Sequence, residues 1–365
     1  MQITTPTLLL DKERCISNIN NMINRAKRAN VRLRPHFKTH QSAHIGRWYR
    51  ELGVECICVS SLNMAQYFAD DGWDDITVAF PVNILEIDKI NTLASQINLN
   101  ILIESCETLS FLDKHLKYRV NAWIKIDTGY QRTGIAAADS ESITKLLDYL
   151  KSSTKVKFKG FLAHTGQNYN CTKTEEILKN HHQTVLDLNE LKDAYRKQWP
   201  QLEVSLGDTP ACSISDEYPG IDEMRPGNFV FYDIMQYVLG SCQEQQIAVA
   251  MACPIVAKHA NRNELVIYGG GVHFSKEYLE ADDQGTKLFG SLVKITPDGW
   301  SPILEGGYLA SLSQEHGIIK CNASLFEQFT IGDIIGVLPI HSCMTANIMG
   351  HYQTLEGESI AIMGR

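Results

Sequence analysis

The stretch RLRPHFKTH, residues 32–40, sets Arg32, Arg34, His36 and Lys38 almost in alternation, with His40 just beyond. On an extended strand alternate side chains share a face, so this face is nearly all cationic. Like charge and desolvation both lower a lysine's pKa, and the neutral amine is the form that attacks an aldehyde. A solvated basic edge strand is the competing reading. Against it, Val31, Leu33 and Phe37 read as core. Far along the chain, PIHSCMTAN places His341 and Cys343 two residues apart. On an extended backbone both face one way, and imidazole with thiolate suits zinc. The same spacing also fits a half-buried histidine beside a core cysteine.

Such residues need elements to hold them. After an apolar strand at 7–10, Asp11 can cap a helix to about Asn30. Strand-type runs follow at 31–37, 55–61, 75–80, 98–105, 120–127, 156–164, 203–208 and 228–233. Helical spacing fills 41–53, 62–71, 84–95, 107–117, 139–152 and 174–197, while the link 209–227 carries little helix signal. Eight strands alternating with helices predict an α/β fold, a (β/α)8 TIM-type barrel over 11–240, with a doubly wound open sheet as the competitor. Beyond about 240 the runs are strand-like with Gly and Pro turns and no good amphipathic helix. This predicts a β domain from 241–365, with residues 1–10 able to pair with it.

In a barrel of this kind the active site lies at the C-terminal strand ends. Strand one ends at Lys38 and strand five in IDTGYQRTG, with Asp127 and Arg132. Strand six ends in AHTGQNY, with His164, Gln167 and Tyr169. The Gly207-Asp208-Thr209 loop and the Gly227-Asn228 turn expose backbone N–H groups, with a hydroxyl at Thr209; they suit a phosphate, or are simply tight turns. A barrel-end lysine with a phosphate site suggests a cofactor bearing both aldehyde and phosphate, and pyridoxal 5'-phosphate (PLP) fits.

RPHFKTHQ, with TPTLLLD, IDTGYQRTGI, GDTPACS, RPGNFVFYD and LPIHSC in this order, resembles the fold-type III PLP enzymes related to alanine racemase. The likeness falls within the branch of D-serine dehydratases and D-threonine aldolases and spans essentially the whole chain. It implies that Lys38 is the Schiff-base lysine and that Arg132 lies close to the cofactor. Tyr169 is implied at the cofactor ring, and Gly207, Thr209, Gly227, Asn228 and Tyr232 on its phosphate side. It also implies that His341 and Cys343 bind Zn2+, since the aldolases have His-x-Asp where the dehydratases have His-x-Cys. A soft thiolate favours zinc over magnesium or manganese.

The reaction implied is dehydration of a D-β-hydroxy amino acid, D-serine or D-threo-3-hydroxyaspartate. Lys38 removes the α-proton, zinc aids departure of the β-hydroxyl, and the product hydrolyses to a keto acid and ammonia. The alternatives are a D-threonine-type aldolase giving glycine and an aldehyde, or a non-catalytic PLP-binding protein. An amino-acid racemase has no use for the metal pair. The resemblance also implies a homodimer. A second carboxylate on the substrate could meet a cation such as Arg34.

The 365 residues are 44% hydrophobic and 21% charged, ordinary globular composition. A formal charge of -8 favours neither nucleic acid nor an anionic membrane. The N-terminal residues lack a secretory pattern, and ten scattered cysteines fit reduced thiols in the cytoplasm.

Overall fold

The computed structural model describes residues 2–282 and 284–364. Positions 1, 283 and 365, all within the ranges expected for the β domain, lie outside them. The chain forms two compact units. One is Asn20–Lys38 with Gly46–Gly227; the other is Met1–Ile19 with Thr39–Ile45 and Asn228–Arg365.

In the first unit eight strands run in parallel: Arg32–Leu33, Ile57–Val59, Asp75–Pro81, Asn98–Ile103, Val120–Asp127, Val156–Ala163, Glu203–Leu206 and Glu223–Met224. From Ile57–Val59 onward each pairs with the next in the chain. Glu223–Met224 then returns to Arg32–Leu33. The ring closes where His36 bridges Cys58, with Phe37 N–H donating to Cys58 O at 2.8 Å and Cys58 N–H to Pro35 O at 2.9 Å. This is the expected α/β barrel. Its helices begin where the sequence supplies caps: Ser61 accepts from Met64 N–H, Ser105 from Thr108 N–H and Asp139 from Ser142 N–H.

The eighth strand is not the expected 228–233 run but Glu223–Met224, and Asn228–Val230 is a short 3-10 helix. A short apolar run signals burial without specifying extended backbone. Glu223 supplies what periodicity could not show. Its Oε2 accepts from Arg34 Nε at 2.7 Å and Arg32 Nε at 2.9 Å, and its Oε1 from Ser205 Oγ at 2.7 Å. Arg34 also donates to Asp75 Oδ1 at 2.8 Å, and Arg32 to the Glu203 carboxylate. Burial by itself would raise the Glu223 carboxyl, but Arg34 and Arg32 outweigh it and hold it at about 2. The cationic face of the first strand is therefore neutralised within the barrel. Arg34 is fully buried with Nε on Glu223 and Nη1 on Asp75, so its charge and that of Arg32 are matched by carboxylates of the barrel, not presented to Lys38 or a substrate carboxylate.

In the second unit six strands close an antiparallel ring: Val249–His259, Glu264–Tyr268, His316–Cys321, Gly307–Leu312, Gly290–Thr296 and Ile334–Pro339. Thr7–Leu10 pairs with Val249–His259 and with His351–Thr354. Three segments, 11–19, 39–45 and 228–240, extend this unit beyond the expected limits. Ala248 N–H donates to Phe231 O at 2.8 Å and Met235 N–H to Ile340 O at 3.2 Å, which ties in 228–240. Tyr352 Oη–H donates to His40 O and Ser42 Oγ–H to Ala361 O, both at 2.8 Å, which ties in 39–45. The unit also contains an eight-residue helix, Ser342–Met349, that the sequence did not suggest.

Candidate active site

In the barrel unit Phe37 fixes the backbone that presents Lys38. Its ring is fully buried and packs at 4.9 Å from Tyr49, 5.0 Å from Phe68 and 5.2 Å from Trp73 between centroids. Lys38 follows with an exposed side chain, and its N–H donates to His36 Nδ1 at 3.3 Å. Three cations, Lys38, Arg225 and Arg132, act on His36, whose pKa lies well below the usual value, first through burial and then through these charges. His164 behaves alike: burial chiefly, with the same three cations, brings it down to about 3. Both imidazoles are neutral at physiological pH, and His164 Nδ1 meets Gly207 O at 2.7 Å.

Around His164 the strand-end residues converge. Tyr130 lies edge-on to His164 at 6.1 Å, Tyr169 lies tilted to it at 6.2 Å, and the Arg132 guanidinium rests 5.0 Å over the Tyr130 ring. A Cβ on Gly166 would come within 2.4 Å of that ring, so glycine lets Tyr130 lie there. Tyr169 Oη accepts Thr209 N–H at 3.2 Å, and Thr209 Oγ1 accepts Gly227 N–H at 3.2 Å. At Gly207 a Cβ would stand 2.5 Å from Arg225 N, so only glycine allows this approach. Tyr169, Gly207, Thr209 and Gly227 thus come together, and Lys38 and Arg132 act on the same His164.

Arg225 is the residue that strand-end reading missed, because the strand it follows was misplaced. It is buried and donates to Ser205 Oγ and Ala163 O, both at 2.5 Å. An exposed amine, a tyrosine hydroxyl, a glycine-bounded turn and two nearby guanidinium groups fit an aldehyde cofactor with an anionic phosphate.

Asp208 caps the Thr209–Ile214 helix through Ala211 N–H at 2.8 Å, while its buried Oδ2 has no hydrogen-bond partner among the described residues. Burial pushes this carboxyl from 3.8 up to about 6 against the pull of Ala211 N–H, Asn168 and Arg225. Its folded pKa exceeds its unfolded one, so its stabilising contribution is full below about 3.8 and is lost as pH rises through about 6. Asp208→Asn should therefore gain roughly 2 kcal/mol relative to the parent chain between about pH 4 and about pH 7, measured by urea unfolding of cofactor-free protein. Parallel stability profiles for the two proteins would refute this.

The second unit holds the other pair. His341 is not on a strand: it is the N-cap of the Ser342–Met349 helix, and Cys343 lies in that helix's first turn. The two side chains nevertheless meet in a hydrogen bond, His341 still having extended backbone as the N-cap. His341 Nδ1 lies 2.5 Å from Glu277 Oε2, a contact with no sequence signal. Burial opposes charge on His341, but Cys343 and Glu277 outweigh it and raise its pKa to about 11. Cys343 Sγ donates to Thr39 Oγ1 at 3.3 Å. Asn228 Nδ2 donates to Asp233 Oδ2 at 2.7 Å, to Ser342 Oγ at 2.9 Å and to Cys343 Sγ at 3.4 Å. Asn228, expected beside a phosphate, thus directs its side chain to the Cys343 network. Buried Tyr232 belongs to this unit too, with a left-handed φ of 48°. Imidazole and thiol brought into contact form a donor pair suited to zinc.

A closed parallel α/β barrel with a lysine and a phosphate-type turn at its strand ends, joined to an antiparallel β unit, is the architecture of alanine racemase-type PLP proteins. The chain belongs to that family. Residues 10–234 match the model for the alanine racemase N-terminal domain, and residues 248–355 that for a putative serine dehydratase domain. It is similar to the D-serine dehydratase of Dictyostelium discoideum, 29% identical over 98% of this chain and 94% of that protein. The D-threo-3-hydroxyaspartate dehydratase of Delftia sp. HT23 is 24% identical over 98% of this chain and 96% of its own. The structure of the Delftia enzyme superposes with a TM-score of 0.92, covering 100% of this chain and 98% of that one. Structures of that enzyme include a cysteine-to-alanine variant in a metal-free form and a histidine-to-alanine variant, the two altered positions lying two residues apart. The D-threonine aldolase of Filomicrobium marinum shares the fold at a TM-score of 0.83 and 18% identity, over 99% of this chain and 95% of its own.

Proposed function

We propose that the protein is a PLP- and zinc-dependent dehydratase of a D-β-hydroxy amino acid, D-serine or D-threo-3-hydroxyaspartate, releasing a keto acid and ammonia. The observation that carries this reading is the meeting of His341 with Cys343 at one helix start. A thiolate in this pair favours zinc, where a carboxylate would favour a harder ion. The dehydratase relatives above support the same direction, and the altered histidine and cysteine of the Delftia enzyme have the spacing of His341 and Cys343.

When bound, the cofactor supplies an electron sink for charge at the α-carbon, and zinc supplies a Lewis acid for the β-hydroxyl. Lys38 would hold the cofactor through its amine, and its Nζ would be the base that takes the substrate's α-proton. Arg132 and Arg225 supply positive charge for the anionic groups of cofactor and substrate. Neutral His164, bonded to Gly207 O, keeps the sixth and seventh strand ends in register. Thr209 and the Gly227 turn, with Tyr169 over them, form the phosphate side. His341 and Cys343 would hold the metal, which would supply a Lewis acid for the substrate hydroxyl.

We read the protein as a cytoplasmic homodimer acting on a small molecule. Ten free cysteines support a reducing compartment; the dimer rests on the family resemblance. The described residues include no helix long and apolar enough to cross a membrane.

The deciding assay offers D-serine, D-threonine and D-threo-3-hydroxyaspartate with and without zinc, measuring keto acid and glycine together. Zinc-dependent keto acid from D-serine or hydroxyaspartate is expected. Glycine with an aldehyde would make the protein an aldolase, and bound PLP without turnover would make it a carrier.

A further inference from the structure

We propose that Glu277 is the positioning residue of the metal pair: it holds the His341 ring by Nδ1 so that Nε2 is the nitrogen offered to zinc. The inference rests on the reading of His341 and Cys343 as zinc ligands and adds a third residue to it.

An imidazole has two nitrogens, and the hydrogen bond made by one decides which lone pair the other presents. Glu277 Oε2 lies 2.5 Å from His341 Nδ1, so a carboxylate acceptor keeps Nδ1 protonated as the hydrogen-bond donor. With Nδ1–H committed to Glu277, Nε2 is the nitrogen that presents its lone pair to a metal once its own proton has left. A hydrogen-bonded carboxylate also makes the ring a stronger donor.

The chain holds Glu277 in place by contacts independent of the imidazole. Ser275 adopts φ 72°, ψ -178°, a backbone conformation that side-chain-bearing residues rarely take. Its Oγ accepts Glu277 N–H at 3.3 Å. One residue earlier, Phe274 is buried and its carbonyl accepts from Thr345 Oγ1 at 3.1 Å. Thr345 lies on the helix that His341 caps. The segment bearing the carboxylate is thus bonded to the helix bearing the ligands, and both sides of the contact are fixed to one another.

A simple surface ion pair is the rival explanation. The side chains are 30% and 41% exposed, a setting in which an ion pair contributes little to stability. Removing Glu277 should therefore spare the fold and act on the metal.

The test is competition between PLP-loaded, metal-stripped enzyme and a zinc-binding dye for added Zn2+. Glu277→Ala should weaken zinc binding by about tenfold to a hundredfold. Glu277→Gln, whose carbonyl oxygen can still accept Nδ1–H, should recover part of the loss. The unfolding midpoint of the metal-free protein should stay at the parent value in both. Zinc affinity within about twofold of the parent in Glu277→Ala, or equal losses in the two variants, overturns the inference. His341→Ala and Cys343→Ala run beside them separate the two levels. If both lose zinc while Glu277→Ala keeps it, only the positioning role falls. If both keep it, the zinc reading falls and this inference with it.

Discussion

Lys38→Ala should leave a folded protein with no visible absorbance from lysine-bound cofactor and a turnover lower by on the order of 10^4-fold. The expected loss is chemical, not structural. Phe37, clasped by Tyr49, Phe68 and Trp73, fixes the backbone before the lysine, and the Lys38 side chain is exposed. Truncation therefore opens no cavity in the core. Lys38→Arg should fail nearly as badly, because a guanidinium keeps the charge but neither condenses with an aldehyde nor gives up its proton near neutral pH. The pair of variants separates charge from nucleophilicity. Absorbance spectra of PLP-incubated protein, with the unfolding midpoint as control, check the result. Visible absorbance retained in Lys38→Ala would remove the central residue of the proposed mechanism.

Cys343→Ala should lower keto-acid formation by about 10^3-fold, equivalent to about 4 kcal/mol at the transition state, while PLP absorbance stays at the parent level. The thiol is held by Thr39 Oγ1 and Asn228 Nδ2, and Lys38 belongs to the barrel unit. Cofactor attachment and metal binding should therefore be separable. Cys343→Asp sharpens the test: a carboxylate is a harder ligand, so activity that returns should depend on magnesium or manganese more than on zinc. Initial rates after chelation and metal add-back measure both. Full activity in chelated Cys343→Ala would end the case for zinc.

Both experiments concern residues legible in the sequence, and the reason is local. A lysine at the end of a strand-type run can be read from chain order alone, as can a histidine two residues from a cysteine. The surroundings of these residues were less legible. The basic alternation about Lys38 looked like tuning of its amine. In the structure Arg32 and Arg34 are paired with Glu223, 191 and 189 residues away, and the cation that joins Lys38 and Arg132 near the site is Arg225. Asn228 was expected by a phosphate, and its side chain lies in the Cys343 network, 115 residues away.

The metal pair shows the same division at closer range. Extended backbone was the premise for setting His341 and Cys343 on one face, but the chain starts a helix there and the two still meet. Glu277, 64 residues before His341, bears no spacing relation to it and emerges only from the folded chain. The sequence by itself determined the alternation of strand and helix, the change to β structure and the identity of the chemically competent groups. These are carried by periodicity and side-chain type, which are properties of neighbouring residues. Tertiary structure alone decided which strand closes the barrel, which arginines are spent on buried carboxylates and which acid holds the histidine. Each of those depends on partners tens to hundreds of residues apart, brought together only when the chain closes on itself.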